Sequence, residues 1–132
     1  MDMEQAERFE EIIRDDGRYP PEAYTFLHRG LEATTQMIYG EDAPPEPRHV
    51  TGQQYCDGLR RLALQQWGPL ASEVLSRWNI RSTRDFGEMV FLLVREGFMG
   101  KQDSDRVEDF DDAYDFESAF GSYEIQLDRD NE

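Results

Sequence analysis

The acidic run between residues 103 and 115 is the segment whose composition most suggests chemistry, because carboxylate oxygens are the ligands that calcium prefers. A calcium-binding EF-hand loop that begins at Asp103 requires a glycine at position 108 and a bidentate acid at position 114. The sequence has Glu108 and Tyr114 at those positions. We therefore predict no metal site here and expect a solvated or arginine-paired acidic surface.

The residues that most often bind transition metals are few and scattered. His28, His49 and Cys56 are the only histidines and the only cysteine of the chain, and they form no Cys-x-x-Cys or His-x-x-x-His pair. The same residues are the only candidates for a cysteine-histidine nucleophile pair, which requires an exposed thiol of lowered pKa. Cys56 lies within an apolar helical pattern, so we expect a buried structural thiol, no bound metal and no cofactor.

Phosphate chemistry and acid-base chemistry have no motif in this chain. The segment from Gly97 to Gly100 follows a predicted helix instead of preceding one, and no Gly-Lys-Ser or Gly-Lys-Thr occurs. The 29 acidic residues cannot be sorted into catalytic pairs, because the role of a carboxylate depends on its burial and its neighbours. We therefore nominate no catalytic residue.

Three arginines, Arg77, Arg81 and Arg84, cluster around the turn between two predicted helices. A guanidinium binds a carboxylate or a phosphate through two parallel hydrogen bonds, so these residues are the candidate contact for an anion or a partner. The acidic C-terminal segment of the same chain offers carboxylates as well. Two interpretations follow, an external anion site or pairing within the chain, and we expect the second.

The elements that position these residues begin with two helices. The apolar stripe of residues 3 to 16 predicts an amphipathic helix that ends at Gly17. Pro21 suits the first position of a second helix, since the amide that it lacks would be unpaired there. This helix is predicted to end at Gly40. The three prolines of residues 41 to 48 then predict a loop without regular structure.

Three further helices are predicted at about residues 52 to 66, 69 to 78 and 83 to 96. Thr51 followed by Gln54 matches a capping box at the first of them, and Gly97 followed by Phe98 predicts a Schellman end for the last. The apolar stripes of the helices predict one core. Its members are Tyr24, Leu27, Leu31, Leu59, Leu62, Leu75, Trp78, Phe86, Val90 and Leu93.

The segment after the last helix mixes acids with aromatic residues. Residues 102 to 120 carry eight acids against one base, Arg106. A purely solvating tail has no use for aromatic side chains, so we expect this segment to dock on the helices. The aromatic residues that would face inward are Phe110, Tyr114, Phe116 and Phe120.

Short strands are predicted only near the C-terminal end. A polar turn separates residues 98 to 101 from residues 106 to 110, which predicts a hairpin. Apolar and polar residues alternate over residues 123 to 127, as they do in a strand, and the charged residues 128 to 132 are expected to fray.

The predicted fold is mainly α, a compact single domain over residues 1 to 132 with about five helices and little β structure. Its three central helices followed by a hairpin match the order of a winged helix-turn-helix domain. In that arrangement the helix at 83 to 96 would enter the DNA major groove, where Asp85 and Glu88 would repel phosphates. We expect a helix-turn-helix used for packing or protein contact, and a winged-helix nucleic-acid-binding regulator is the alternative.

The charge of the chain limits the classes of partner that it can bind. The formal net charge is −15, and residues 48 to 101 form a weakly basic middle between two acidic flanks. Such a chain repels phosphate polymers and anionic membranes at long range. No apolar run approaches the about 20 residues that span a bilayer, and the start shows no secretory signal. We expect a cytoplasmic protein-interaction or regulatory domain without catalytic activity, whose partner is another protein and not a membrane, with a nucleic acid as the less favoured partner.

Five phrases of the sequence, taken as a set, carry a resemblance over about residues 18 to 120. They are Arg18-Tyr-Pro-Pro-Glu-Ala-Tyr24, His49-Val-Thr-Gly-Gln53, Gln66-Trp-Gly-Pro-Leu70, Arg81-Ser-Thr-Arg-Asp-Phe-Gly87 and Asp109-Phe-Asp-Asp-Ala-Tyr-Asp-Phe116. With these phrases the chain resembles a family of small, functionally uncharacterised hypothetical proteins from planctomycete and verrucomicrobial bacteria. The resemblance implies a bacterial domain of a recurring type, and it implies no active site, ligand or partner.

Overall fold

Five α-helices form the part of the chain that the structure describes. The computed structural model describes residues 2–40, 50–99 and 106–121, and these ranges contain helices and turns but no strand. The helices are α1 (Met3–Asp16), α2 (Pro21–Tyr39), α3 (Gly52–Trp67), α4 (Ala71–Arg77) and α5 (Thr83–Arg95). The prediction of a mainly α fold is confirmed. None of the described helices is long and apolar enough to cross a lipid bilayer.

The predicted capping residues define the helix ends. The amide of Gln54 lies 3.0 Å from Oγ1 of Thr51, and the amide of Thr51 lies 2.9 Å from Oε1 of Gln54, which completes the capping box. At the end of α5, Gly97 has a φ of 83°, and the amide of Phe98 donates to the carbonyl of Leu93 at 2.7 Å. These contacts confirm the Schellman motif.

The fourth helix is shorter than predicted. Residues Gly68–Leu70 form a 3-10 turn, closed by the Ala71 amide donating to the Gly68 carbonyl, and α4 begins only at Ala71. Pro69 sits in this turn, and its fixed φ and missing amide suit a 3-10 turn as well as the first position of an α-helix. Leu70, the second residue of the predicted helix, is 57% exposed.

Two glycines set the spacing between α2 and α3. A Cβ atom on Gly30 would overlap the side chain of Leu59, and one on Gly58 would overlap Oγ1 of Thr34. Thr34 is fully buried, and its hydroxyl donates to the Gly30 carbonyl at 2.6 Å. Glycine inside a helix costs roughly 0.5 to 1 kcal/mol relative to alanine. At these two positions the close backbone approach requires it.

One core joins the helices. Most of the predicted core residues are buried, but Leu31, Leu62 and Trp78 lie at its edge, partly exposed and packed against it. Each of them stands on a helix flank that the described elements cover only in part. The buried members of the predicted set are Tyr24, Leu27, Leu59, Leu75, Phe86, Val90 and Leu93.

Residues 106–121 lie against α3, α4 and α5. The predicted strand at 106 to 110 is wrong, because Val107–Phe110 forms a 3-10 turn in which Asp109 Oδ2 accepts from the Arg106 amide at 2.9 Å. Two glycines permit the contact. A Cβ atom on Gly87 would lie 2.8 Å from Cβ of Phe110, and one on Gly52 would lie 2.7 Å from the Asp109 carbonyl oxygen. Phe110 and Phe120 are buried.

Several sequence predictions concern residues outside the described ranges. They include the Pro-rich loop at 41 to 48, the strand at 123 to 127 and the frayed end at 128 to 132. Of the first predicted hairpin strand, only residues 98 and 99 are described, and they form a turn.

Candidate functional site

The structure divides the three arginines nominated from sequence between two places. Arg77 stands in the last turn of α4 and lines a cleft shared with α1 and the start of α2. Arg81 and Arg84 lie at the start of α5, in a different cavity that is lined by residues 111–116. The sequence placed all three around one turn, but the two cavities have no lining residue in common.

Arg84 forms ion pairs with two carboxylates of the same chain. Its Nε lies 3.0 Å from Glu88, and its Nη1 lies 3.0 Å from Asp111. Hydrogen bonds to Glu88 and Asp111 raise the pKa of Arg84 above its ordinary value. Arg81 makes a weaker contact, from Nη1 to Oγ of Ser76 at 3.5 Å. Arg84 therefore makes the pairing within the chain that the sequence predicted. Little of the positive charge of this cavity is left to bind an external anion.

The cleft around Arg77 is different because arginines dominate its rim. It has a volume of about 670 Å³. We call it the arginine cleft. Its charged and polar lining consists of Glu10, Arg14, Arg18, Arg77 and Asn79, and its apolar lining of Ile13, Tyr19, Pro20, Pro21 and Trp78. Three cations and one acid therefore surround an apolar floor.

The half-buried carboxylate of Asp85 fixes the floor of the arginine cleft. The Tyr19 hydroxyl donates to Oδ1 of Asp85 at 2.5 Å, and Oδ2 of the same carboxylate accepts from the amides of Arg81 and Ser82. Burial and the hydrogen bond to Asp85 raise the pKa of Tyr19, so the hydroxyl stays protonated and keeps donating. Nδ2 of Asn79 donates to the Arg18 carbonyl at 3.3 Å. These bonds tie the α1–α2 turn to the start of α5.

The three arginines of the cleft differ in how strongly other residues engage them. Arg14 is exposed and makes no ion pair with any residue of the described ranges. Arg77 pairs with Glu73, one turn earlier on α4, and its side chain stays 76% exposed. Arg18 pairs with Asp16 at 2.9 Å and with Glu88 at 3.5 Å. Arg14 and Arg77 are therefore the cations most available to a ligand.

The helix ends around the cleft have opposing effects. Arg14 and Arg77 stand in the last turns of α1 and α4, whose C-terminal carbonyls carry partial negative charge that the guanidinium groups offset. The longer helix α2 begins at Pro21, and its partial positive end also faces this region. The ends of α1 and α4 therefore oppose an anion in the cleft, whereas the start of α2 favours one.

A second cavity lies beside the arginine cleft. It has a volume of about 240 Å³ and is lined by Glu22, Thr25, Phe26, Arg29, Gln66, Trp67 and Trp78. We call it the aromatic pocket. Phe26 is buried beneath the two tryptophans, which are partly exposed and meet nearly edge to face, at 82° with centroids 5.3 Å apart. The chain contains only these two tryptophans.

The remaining candidate nucleophile and metal ligands from the sequence form no site in the described residues. Cys56 is fully buried, and burial raises the pKa of its thiol to about 12, so it is not a nucleophile at neutral pH. His28 is exposed and faces Glu32 on α2, and His49 lies outside the described residues. No three metal-ligating side chains converge within the described ranges. Of the acidic run, Asp109 and Asp115 accept hydrogen bonds from nearby backbone amides.

Sequence reasoning missed the arginine cleft because its members are far apart in the chain. Arg14 and Arg18 were not nominated, although both flank the glycine that ends α1 and Arg77 stands at the end of another helix. A run of Arg-x-x-Gly-Arg before two prolines is a local signal of cations at a helix end. Their meeting with Arg77 depends on packing.

Comparisons with protein-family models, with curated proteins and with solved structures found no match to this chain. The resemblance drawn from the five sequence phrases therefore remains an expectation.

Proposed function

We propose that this chain is a protein-interaction domain that binds an acidic segment of a partner protein in the arginine cleft. The observation that carries the proposal is the gathering of Arg14, Arg18 and Arg77 around one cavity, in a chain whose net charge is −15. Most of the surface repels an acidic peptide, so this cavity selects where such a peptide binds. We propose a regulatory or scaffolding role, without catalysis.

The chemistry of the cleft favours carboxylates attached to a peptide over a small free anion. A guanidinium binds a carboxylate bidentately, and the apolar floor of Tyr19, Pro21 and Trp78 covers the carbon chain of an extended peptide. Exposed ion pairs contribute about 0.2 to 1 kcal/mol each. A few such pairs with a small apolar contact give a dissociation constant on the order of 100 μM, which suits a regulated contact.

The winged-helix alternative has no support from α5, the helix that would enter the major groove. Residues 106–121 lie against it, with Gly87 facing Phe110 and Arg84 bound to Glu88 and Asp111. A duplex would have to displace this segment and its carboxylates before it reached the helix. We therefore do not propose nucleic-acid binding.

We include a cytoplasmic location in the proposal. Cys56, the only cysteine of the chain, is a buried free thiol. A fold without disulfides suits a reducing compartment.

Fluorescence anisotropy of a labelled oligoglutamate peptide tests the proposed function. We expect saturable binding at low salt that weakens as salt screens the charges. The variant Arg14→Ala removes the one arginine of the cleft that makes no ion pair with the described residues, so we expect about fivefold weaker binding.

The matched control is Arg61→Ala on α3, which removes the same charge from a residue paired with Asp57 outside the cleft. We expect this variant to bind the peptide nearly as the parent protein does. Equal losses in both variants would mean that the peptide senses only overall charge. No binding at low salt would overturn the proposal.

A further inference from the structure

We infer that the aromatic pocket is a second subsite of the same groove and that it holds a proline ring, so the partner segment is both acidic and proline-containing. The inference rests on the proposed function and names the class of partner more narrowly. It follows from the adjacency of the two cavities, the shape of the pocket and the charges at its rim.

Trp78 stands between the two cavities. It lines both the arginine cleft and the aromatic pocket. On the α2 side, Pro21 lines the first cavity, and Glu22, the next residue, lines the second. The two cavities are therefore neighbours, and an extended peptide whose carboxylates contact Arg14 and Arg77 can reach the pocket by crossing Trp78.

The pocket is a corner between aromatic rings. The Phe26 ring lies 5.1 Å from Trp67 and 5.8 Å from Trp78, between centroids, and the two indoles stand nearly perpendicular. The cavity of about 240 Å³ is smaller than the roughly 300 to 1,000 Å³ of small-molecule sites. It therefore suits one compact apolar ring of a peptide better than a free ligand.

The charges at the rim of the aromatic pocket indicate which kind of chemical group it binds. A cation would be attracted by Glu22 and by the ring faces, but Arg29 at the same rim repels it. A nucleobase could stack on Trp67, but its backbone would bring phosphates to a chain of net charge −15. A proline ring is neutral, and proline-rich peptides lose little conformational entropy when they dock in aromatic-lined grooves.

Two labelled peptides test the inference, one with a glutamate block joined to a proline block and one with the same glutamate block joined to alanines. Each is made in both orders, since the direction of the bound chain is open. We expect the better proline peptide to bind about fivefold more tightly than its alanine match. It should also change the tryptophan fluorescence, because Trp67 and Trp78 are the only tryptophans and both line the pocket.

Two variants separate the pocket from the cleft. Trp67→Ala removes a wall of the pocket that does not line the cleft, and Thr25→Phe fills the pocket from an exposed position of α2 without removing any ring. We expect both variants to abolish the preference for proline and to keep the affinity for the alanine peptide. Circular dichroism checks that each variant is folded. If Trp67→Ala is unfolded, Thr25→Phe alone tests the proline subsite.

The outcomes distinguish the two proposals. Equal binding of the proline and alanine peptides by the parent protein would overturn the proline subsite and leave the acidic-peptide function standing. Binding of neither peptide would overturn both. Tighter binding of oligothymidylate than of either peptide would replace both with a single-stranded nucleic-acid groove.

Discussion

Replacing Tyr24 by phenylalanine removes a hydroxyl that the fold buries without a hydrogen bond. Tyr24 is 2% exposed, and its hydroxyl oxygen has no partner in the described structure. Burial raises the pKa of this phenol, and the charge of Asp16 raises it further. A buried polar group without a partner costs about 1 to 3 kcal/mol. Tyr24→Phe should therefore leave stability unchanged or raise it by about 1 kcal/mol.

Tyr55 supplies the matched control. Its ring is also buried, but its hydroxyl donates to the Leu27 carbonyl at 2.6 Å and ties α3 to α2. Tyr55→Phe deletes the same atom and loses a buried hydrogen bond worth about 0.5 to 1.5 kcal/mol. We therefore expect the free energies of unfolding of the two variants to differ by about 1 to 2 kcal/mol, with Tyr24→Phe the more stable.

Urea denaturation followed by tryptophan fluorescence measures this difference, provided that the m-values of the two variants agree with that of the parent protein. If Tyr24→Phe loses about 1 kcal/mol or more, the hydroxyl has a partner such as a buried water and the reasoning from an unpaired group is wrong. If Tyr55→Phe loses nothing, the bond to Leu27 contributes no net stability.

Three further predictions concern packing, ionisation and DNA. Gly87→Ala should loosen residues 106–121, because the added Cβ would lie 2.8 Å from Cβ of Phe110. Amide hydrogen exchange of these residues should then be faster than in the control variant Gln65→Ala, which changes an exposed position. Equal exchange in the two variants would contradict the tight contact. Burial raises the pKa of Cys56 from 9.0 to about 12, so the folded state holds this proton more tightly. The stabilisation is complete below about pH 9 and is lost as the pH rises toward 12. Over that range the urea midpoint should fall by less in Cys56→Ala than in the parent protein. Equal falls in the two proteins would assign the loss of stability to other groups. Duplex DNA should show no micromolar binding at physiological salt in a gel-shift titration, and such binding would restore the winged-helix alternative.

The sequence alone determined most helix boundaries, because capping and helix termination depend on residues within one turn of each other. Thr51 with Gln54, Gly97 with Phe98 and Gly17 each interact with atoms three to five positions away. The exception was Pro69, where the same local signal allowed either a helix or a 3-10 turn. The apolar stripes likewise identified the core, except where a helix flank remained uncovered.

Only the tertiary structure decided which distant residues meet. The sequence grouped Arg77 with Arg81 and Arg84 by proximity in the chain, whereas packing brings Arg77 to Arg14 and Arg18 and leaves Arg84 with Asp111. The approach of α2 to α3 at Gly30 and Gly58, and of residues 106–121 to α5 at Gly87, is also invisible to periodicity. The physical reason is that capping energies depend on neighbours along the chain, whereas a cleft depends on how helix faces pack across long sequence separations.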